Sequence, residues 1–89
     1  MQMLKIYKLN LSKETRKELK VIRNMYGEQR INDALSKISE YPFMGKPLTR
    51  ELTGSFSYRI GVYRIIYKIN EKEKLVDIIT AGHRATVYE

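Results

Sequence analysis

The chain contains no cysteine, so neither a disulfide nor a thiolate metal site can be built from it. It has a single histidine, and its ten carboxylates are scattered without ligand spacing, which leaves no zinc or calcium signature. No apolar run approaches the roughly 20 residues that span a bilayer, and no signal-peptide core follows Met1. The expectation is a cytosolic protein that uses no cofactor, no metal and no membrane. A glycine-rich phosphate loop is missing, as is a serine in a strand-turn-helix elbow. A Ser/His/carboxylate triad through His83 is open by count alone, but no residue favours it. Repeats, low-complexity tracts and internal linkers are also missing, and 89 residues leave no room for a second core. Residues 1–89 therefore read as one domain.

Acidic residues are the other scarcity. Seventeen Lys and Arg face ten Asp and Glu, a net charge of +7. Such an excess favours a polyanion or an acidic protein as partner. From Tyr41 to Asn70 the basic residues are Lys46, Arg50, Arg59, Arg64 and Lys68, with Glu51 the single acid. The helical regions before it are more balanced. At 43% hydrophobic, the chain has enough apolar material for one small core.

What is present centres on Tyr58-Arg59-Ile60-Gly61-Val62-Tyr63-Arg64-Ile65-Ile66-Tyr67-Lys68-Ile69. Aromatic and β-branched residues alternate with polar ones on either side of a glycine, the pattern of a tight hairpin. Gly61-Val62 suits a two-residue type II′ loop, which wants glycine first. That loop pairs Ile60 with Tyr63, Arg59 with Arg64, and Tyr58 with Ile65. Tyr58, Ile60, Tyr63, Ile65, Tyr67 and Ile69 then share an apolar face, and Arg59, Arg64 and Lys68 share the other. Two guanidiniums directly opposite one another cost on the order of a few tenths of a kcal/mol. Selection for folding alone would not be expected to place them there, whereas a grip on phosphate would; the alternative is that they are simply solvated or paired with Glu51 or Glu71.

In chain order, residues 3–8 read as a first strand, with Leu4, Ile6 and Lys8 alternating against Lys5 and Tyr7. Ser12 is a good N-cap for a helix whose stripe is Leu11, Thr15, Leu19, Ile22 and Tyr26. Gly27 ends that helix as an αL terminator. A second helix over 28–40 buries Ile31, Ala34, Leu35, Ile38 and Tyr41. Pro42 and Pro47 bound an irregular stretch. Residues 48–52 form a short strand or extended lead-in, broken by Gly54. After the hairpin and a charged turn, residues 75–81 form a strand apolar enough to be buried on both sides, followed by a polar tail. The order β-α-α-β-β-β gives an α+β domain: a mainly antiparallel, twisted sheet with the N-terminal αα-hairpin on one face.

The candidate chemistry is cationic. Arg59 and Arg64 come from the hairpin, and His83, Arg84 and Tyr88 from the end of the last strand. If that strand pairs with the one carrying Arg64, these groups converge at one edge of the sheet. Guanidiniums bind phosphate bidentately and stabilise the extra charge of a phosphorane-like transition state. RNA brings its own nucleophile, the 2′-hydroxyl. Histidine ordinarily titrates near about 6.5, which makes His83 a candidate for acid–base work, and arginines would lower the ordinary tyrosine pKa of about 10 at Tyr88. Lys46, Arg50, Lys68 and the helical Lys13, Lys17 and Lys20 are candidates for contacting RNA. Tyr7, Tyr26, Tyr41, Tyr63 and Tyr67 are assigned to the core; Phe56 and Tyr58 are open between core and base stacking.

Gly45-Lys46-Pro47-Leu48, Glu51-Leu52-Thr53-Gly54, the hairpin, and Gly82-His83-Arg84 with Val87-Tyr88 together resemble the RelE/ParE toxin superfamily of toxin–antitoxin modules. The likeness covers nearly the whole chain. It implies the RelE/ParE-like fold and, for RelE-like members, metal-free cleavage of messenger RNA in the ribosomal A site, leaving a 2′,3′-cyclic phosphate. By that likeness Arg59 contacts the scissile phosphate, Arg64 supports the transition state, Arg84 assists the leaving group and Tyr88 is the general base. His83 is an alternative proton shuttle. ParE-like members share the fold and poison DNA gyrase, and an inactive member would only bind its antitoxin. The resemblance also implies an acidic, RelB-like antitoxin that covers the basic surface, and a free toxin that is monomeric, with larger complexes formed through the antitoxin.

Overall fold

The computed structural model describes residues 6–49 and 52–83. Strand β1 (Lys8–Leu11) leads into helices α1 (Lys13–Tyr26) and α2 (Glu28–Glu40). A 3-10 turn (Pro42–Met44) follows, then β2 (Lys46–Pro47), β3 (Ser55–Ile60), β4 (Tyr63–Asn70) and β5 (Leu75–His83). The strands form one sheet in the order β1-β5-β4-β3-β2, antiparallel except for the β1–β5 pair. This is the α+β fold expected, with both helices on one face.

The start of α1 and the ends of both helices test the helix signals separately. Ser12 caps α1 by accepting the Thr15 amide at 3.1 Å, and Thr15, Leu19 and Ile22 face the core. Gly27 ends α1, donating its N–H to the Arg23 carbonyl at 2.8 Å, but with φ +95° and ψ 153°. Those angles lie outside the αL region, in extended space reserved for glycine, so the chain swings directly into α2 instead of making an αL cap. Tyr41 is a correction: it caps α2 with non-helical angles, which turn its ring off the buried stripe, and it is 58% exposed. Leu35, Tyr7, Tyr26 and Tyr63 are only partly buried.

The first strand also sits later than its alternation suggested. The Tyr7 N–H donates to the Ser39 carbonyl at 3.0 Å, and the Ser39 hydroxyl to the Tyr7 carbonyl at 2.6 Å. Tyr7 is thus tied to the end of α2, and sheet pairing starts at Lys8. Leu4 and Lys5 lie outside the described residues. Strand pairing falls earlier than the expected 48–52, on Lys46–Pro47, which pairs with Ser57 and Phe56 at the sheet edge, where a proline does not interrupt a ladder; Arg50 and Glu51 lie outside the described residues.

The last strand extends to His83 and is not buried on both sides. Ile66 pairs with Thr80 but Tyr67 with Ile78, so Ile79 is an extra bulged residue, 45% exposed. The bulge resets the alternation: Val76, Ile78 and Ala81 all face the helices, opposite Ile69, Tyr67 and Ile65. With Leu19, Ile22, Ile31, Ala34, Ile38, Ile60, Ile65 and Tyr67, the three form the core, and partly buried Ile69 packs against it. Each fully buried aliphatic side chain contributes about 1.5–3 kcal/mol relative to exposure.

Tyr67 lies at the centre of this core, its hydroxyl donating to the Pro42 carbonyl at 2.7 Å. Burial is the main cause that pushes its pKa up to about 12. An elevated folded-state pKa means stability present below about pH 10 and lost as pH rises toward 12. Urea melts at pH 9 and 11.5 should show wild type losing roughly 1–3 kcal/mol more than Tyr67→Phe over that interval. Equal losses would mean that Tyr67 does not carry the alkaline transition.

Candidate phosphate-binding face and comparison with known proteins

Hairpin pairing sets the candidate site. Gly61 has φ +59° while Val62 is not in positive-φ space, as a type II′ loop requires. Arg59 stands opposite Arg64, as the two-residue loop demands. This is the wider-bonded kind of antiparallel pair, in which Cα atoms approach to about 4.5 Å. The next strand continues the row, with Gly82 opposite Arg64. Since paired residues share a face, Arg59, Arg64 and Gly82 lie on the side away from the helices. Lys46, opposite Ser57, and Lys68, opposite Ser55, lie on that side too. Lys68 also faces Asp77, whose carboxylate accepts from the Asn10 amide at 2.7 Å.

The two arginines differ in environment. Arg59 is exposed, whereas Arg64 is 6% exposed and donates from Nη1 to the Ser57 hydroxyl at 3.3 Å. A cation held in the lower dielectric of a protein surface attracts an arriving phosphate more strongly than a solvated one. Gly82 keeps the position beside Arg64 free of a side chain.

His83 does not join them. It stands opposite Tyr63, against whose ring its imidazole packs edge-on at 5.6 Å, on the helix side of the sheet. Pleating alternates successive side chains, and the bulge fixes which parity Gly82 and His83 take. Lys13, Lys17 and Lys20 are exposed on the solvent side of α1, whose opposite side packs on the sheet, so they form a separate basic surface. Arg50, Arg84 and Tyr88 lie outside the described residues. Among the described residues no cluster of His, Asp and Glu is arranged to hold a metal ion, and no helix is long and apolar enough to cross a membrane.

Sequence reasoning missed the residues that position β5. Strand β1 ends opposite Ile78, so among the described residues the β5 edge beyond it lacks a neighbouring strand. Helix α1 covers that edge instead. Thr15 Oγ1 lies 3.3 Å from the carbonyls of both Ile78 and Ile79, and the Glu18 carboxylate accepts from the Ala81 N–H at 2.9 Å and the Thr80 hydroxyl at 3.2 Å. The side chains are 60-odd residues away in sequence, and only the irregular bulge creates the need for them. Glu18→Ala strands a backbone donor, and should destabilise the fold by about 1–3 kcal/mol. It should also raise amide exchange at Ala81 ahead of the rest of β5; uniform protection would show that the carboxylate is dispensable there.

Comparison with known proteins agrees with this architecture. The ParE toxin of type II toxin–antitoxin systems (parDE) is the family whose model matches residues 9–88. Toxin RelG of Mycobacterium tuberculosis is 45% identical over 56 residues, 62% of this chain and 64% of that protein. Toxin RelE of the same organism is 40% identical over 45 residues, 51% of this chain and 46% of that protein. The chain thus spans about half to just under two thirds of the length of these relatives. The crystal structure of the toxin–antitoxin complex RelBE2 from M. tuberculosis superposes with a TM-score of 0.76 at 32% identity, covering 90% of this chain and 100% of the matched one. The chain belongs to the ParE toxin family of type II toxin–antitoxin systems, within the RelE/ParE superfamily.

Proposed function

We propose that the chain is a toxin that arrests translation by cutting messenger RNA in the ribosomal A site, through metal-free attack of the 2′-hydroxyl. The observation that carries this reading is the cross-strand Arg59–Arg64 pair on the helix-free face, beside Gly82. Two adjacent guanidiniums match the bidentate geometry of a phosphodiester and the extra charge of its transition state. In the reaction the 2′-oxygen bonds to phosphorus while the bond to the 5′-oxygen breaks, leaving a cyclic phosphate. The 2′-hydroxyl proton passes to a base, and the departing 5′-oxygen takes one up.

Exposed Arg59 makes the first contact with the backbone, and Lys46 and Lys68 extend the cationic track from it away from the hairpin tip. Arg64 acts at shorter range; with 6% of it exposed, substrate must displace what covers it. Arg84 is assigned to the leaving group and Tyr88 to the base. His83, held against Tyr63, is left without a direct role at the phosphate. The cognate antitoxin is an acidic protein that neutralises this face of a +7 toxin.

A second reading is favoured by the matched family itself, whose description is that of the ParE toxin: the chain poisons DNA gyrase. Primer extension on translated messages after induction, with gyrase supercoiling assayed in parallel, separates the two. Cleavage ends at A-site codons, lost in Tyr88→Phe, are expected. Uncut messages with inhibited supercoiling would transfer the function to gyrase, and no growth arrest would leave only antitoxin binding.

A further inference from the structure

Where α2 meets the sheet, three large apolar side chains stand out of the surface within four residues: Tyr41, Phe43 and Met44, at 58, 53 and 55% exposure. They are held there by the fold. The Tyr41 N–H donates to the Lys37 carbonyl at 2.8 Å and the Met44 N–H to the Tyr41 carbonyl at 3.0 Å. Tyr67 anchors Pro42 between them from the core. Phe43 packs edge-on against Phe56 at 5.9 Å, and Phe56 stacks on Tyr67 at 5.8 Å. A contiguous apolar surface on a rigid support is the signature of a protein contact, and it has no role in gripping a phosphate.

Phe43 is a ridge between two grooves. On one side a groove of about 450 Å³ is walled by Tyr7, Tyr41, Pro42 and Met44, with Glu40 and Lys74 at its rim. The Lys74 ammonium already sits over the Tyr7 ring, 5.3 Å from its centroid. On the other side a groove of about 690 Å³ is bordered by Lys68 and Lys72, with Glu71 and Asp77. Asp77 is engaged by Asn10. Lys68 is also the end of the cationic row that runs through Arg64 and Arg59 on the helix-free face.

We propose that this corner anchors an acidic, amphipathic segment of the cognate antitoxin. The segment seats an apolar side chain in the groove beside Tyr7, crosses Phe43 and lays its carboxylates over Lys72 and Lys68. From there it reaches along β4 toward Arg64. The anchor lies apart from the arginine pair, so binding strength and occlusion of the active face come from different residues. Nucleic acid fits the first groove poorly, because among the described residues its walls are aromatic and aliphatic and its lysine, Lys74, is already over the Tyr7 ring. The inference rests on the family reading that an antitoxin partner exists.

The test uses the full chain and its co-expressed antitoxin. Tyr41→Ser/Met44→Ser, which removes exposed side chains only, should keep the melting temperature and growth arrest of wild type. Its Kd for the antitoxin should rise about 10- to 100-fold by calorimetry, with neutralisation in cells lost. Lys72→Glu should weaken binding several-fold and flatten its salt dependence. An unchanged Kd in the double variant overturns the proposal. So does a fall in affinity for a single-stranded RNA oligonucleotide instead, which makes the corner an RNA site, or loss of self-association in sedimentation, which makes it a contact between copies. Failure of wild type to bind the antitoxin at all removes the partner reading itself, and cleavage assayed on the same proteins reports separately on the ribonuclease.

Discussion

Arg64→Ala is expected to lower message cleavage by about 10²- to 10³-fold, the loss typical of removing one preorganised charge at a developing oxyanion. The magnitude follows from where Arg64 sits. At 6% exposure it is screened from water, and at about 4 Å in an effective dielectric near 20 a unit charge pair is worth roughly 4 kcal/mol. That attraction counts toward rate only to the extent that it grows between substrate and transition state. Arg64→Lys keeps the charge but not the fork that reaches Ser57, so binding should recover more than turnover. Arg59 is solvated and should behave differently: Arg59→Ala raises KM about 10-fold and reduces the salt slope of ribosome binding by about one unit. Single-turnover cleavage on programmed ribosomes separates the two effects. If a folded Arg64→Ala protein cuts within threefold of wild type, the scissile phosphate lies elsewhere.

What could be read in the sequence was what depends on neighbours in the chain. The hairpin register came from Gly61-Val62 and period-two alternation, and with it the pairing of Arg59 and Arg64. Both helices followed from Ser12, Gly27 and their apolar stripes. What could not be read was set by distant contacts. The bulge at Ile79 decides that Gly82, not His83, shares a face with Arg64, and nothing in an apolar run of β-branched residues signals one skipped partner. The start of β1 was decided by Ser39 on α2, which claims the Tyr7 backbone. Tyr41 looked like a further turn of a buried stripe because helical periodicity does not announce where a helix stops. The burial of Arg64 was equally hidden: alternation placed it on the polar face, and on a small sheet that face is partly covered.

The hairpin tip shows both kinds of information acting on one residue, and there the largest loss of stability is expected. Gly61→Ala meets a backbone penalty of about 1–2 kcal/mol because φ is +59°. It also meets a steric one, since the added methyl falls 2.6 Å from Cζ and 2.9 Å from Cε1 of Tyr26, and against the Tyr26 hydroxyl itself. Overpacking of that kind costs about 1–3 kcal/mol. Tyr26 cannot simply withdraw: its ring is edge-on to Tyr63 at 6.0 Å, carries Arg30 at 5.2 Å, and its hydroxyl accepts the Val62 N–H at 3.4 Å. The sum, about 2–5 kcal/mol, corresponds to a fall in Tm on the order of 10–40 °C for a domain of this size. A double-mutant cycle with Tyr26→Ala divides the two penalties. Relief of the clash should make the pair less destabilising than the sum of its members by about 1 kcal/mol or more, leaving the backbone term behind. Strict additivity would mean that Tyr26 yields freely and that the turn, not the clamp from α1, holds the arginine-bearing strands in place.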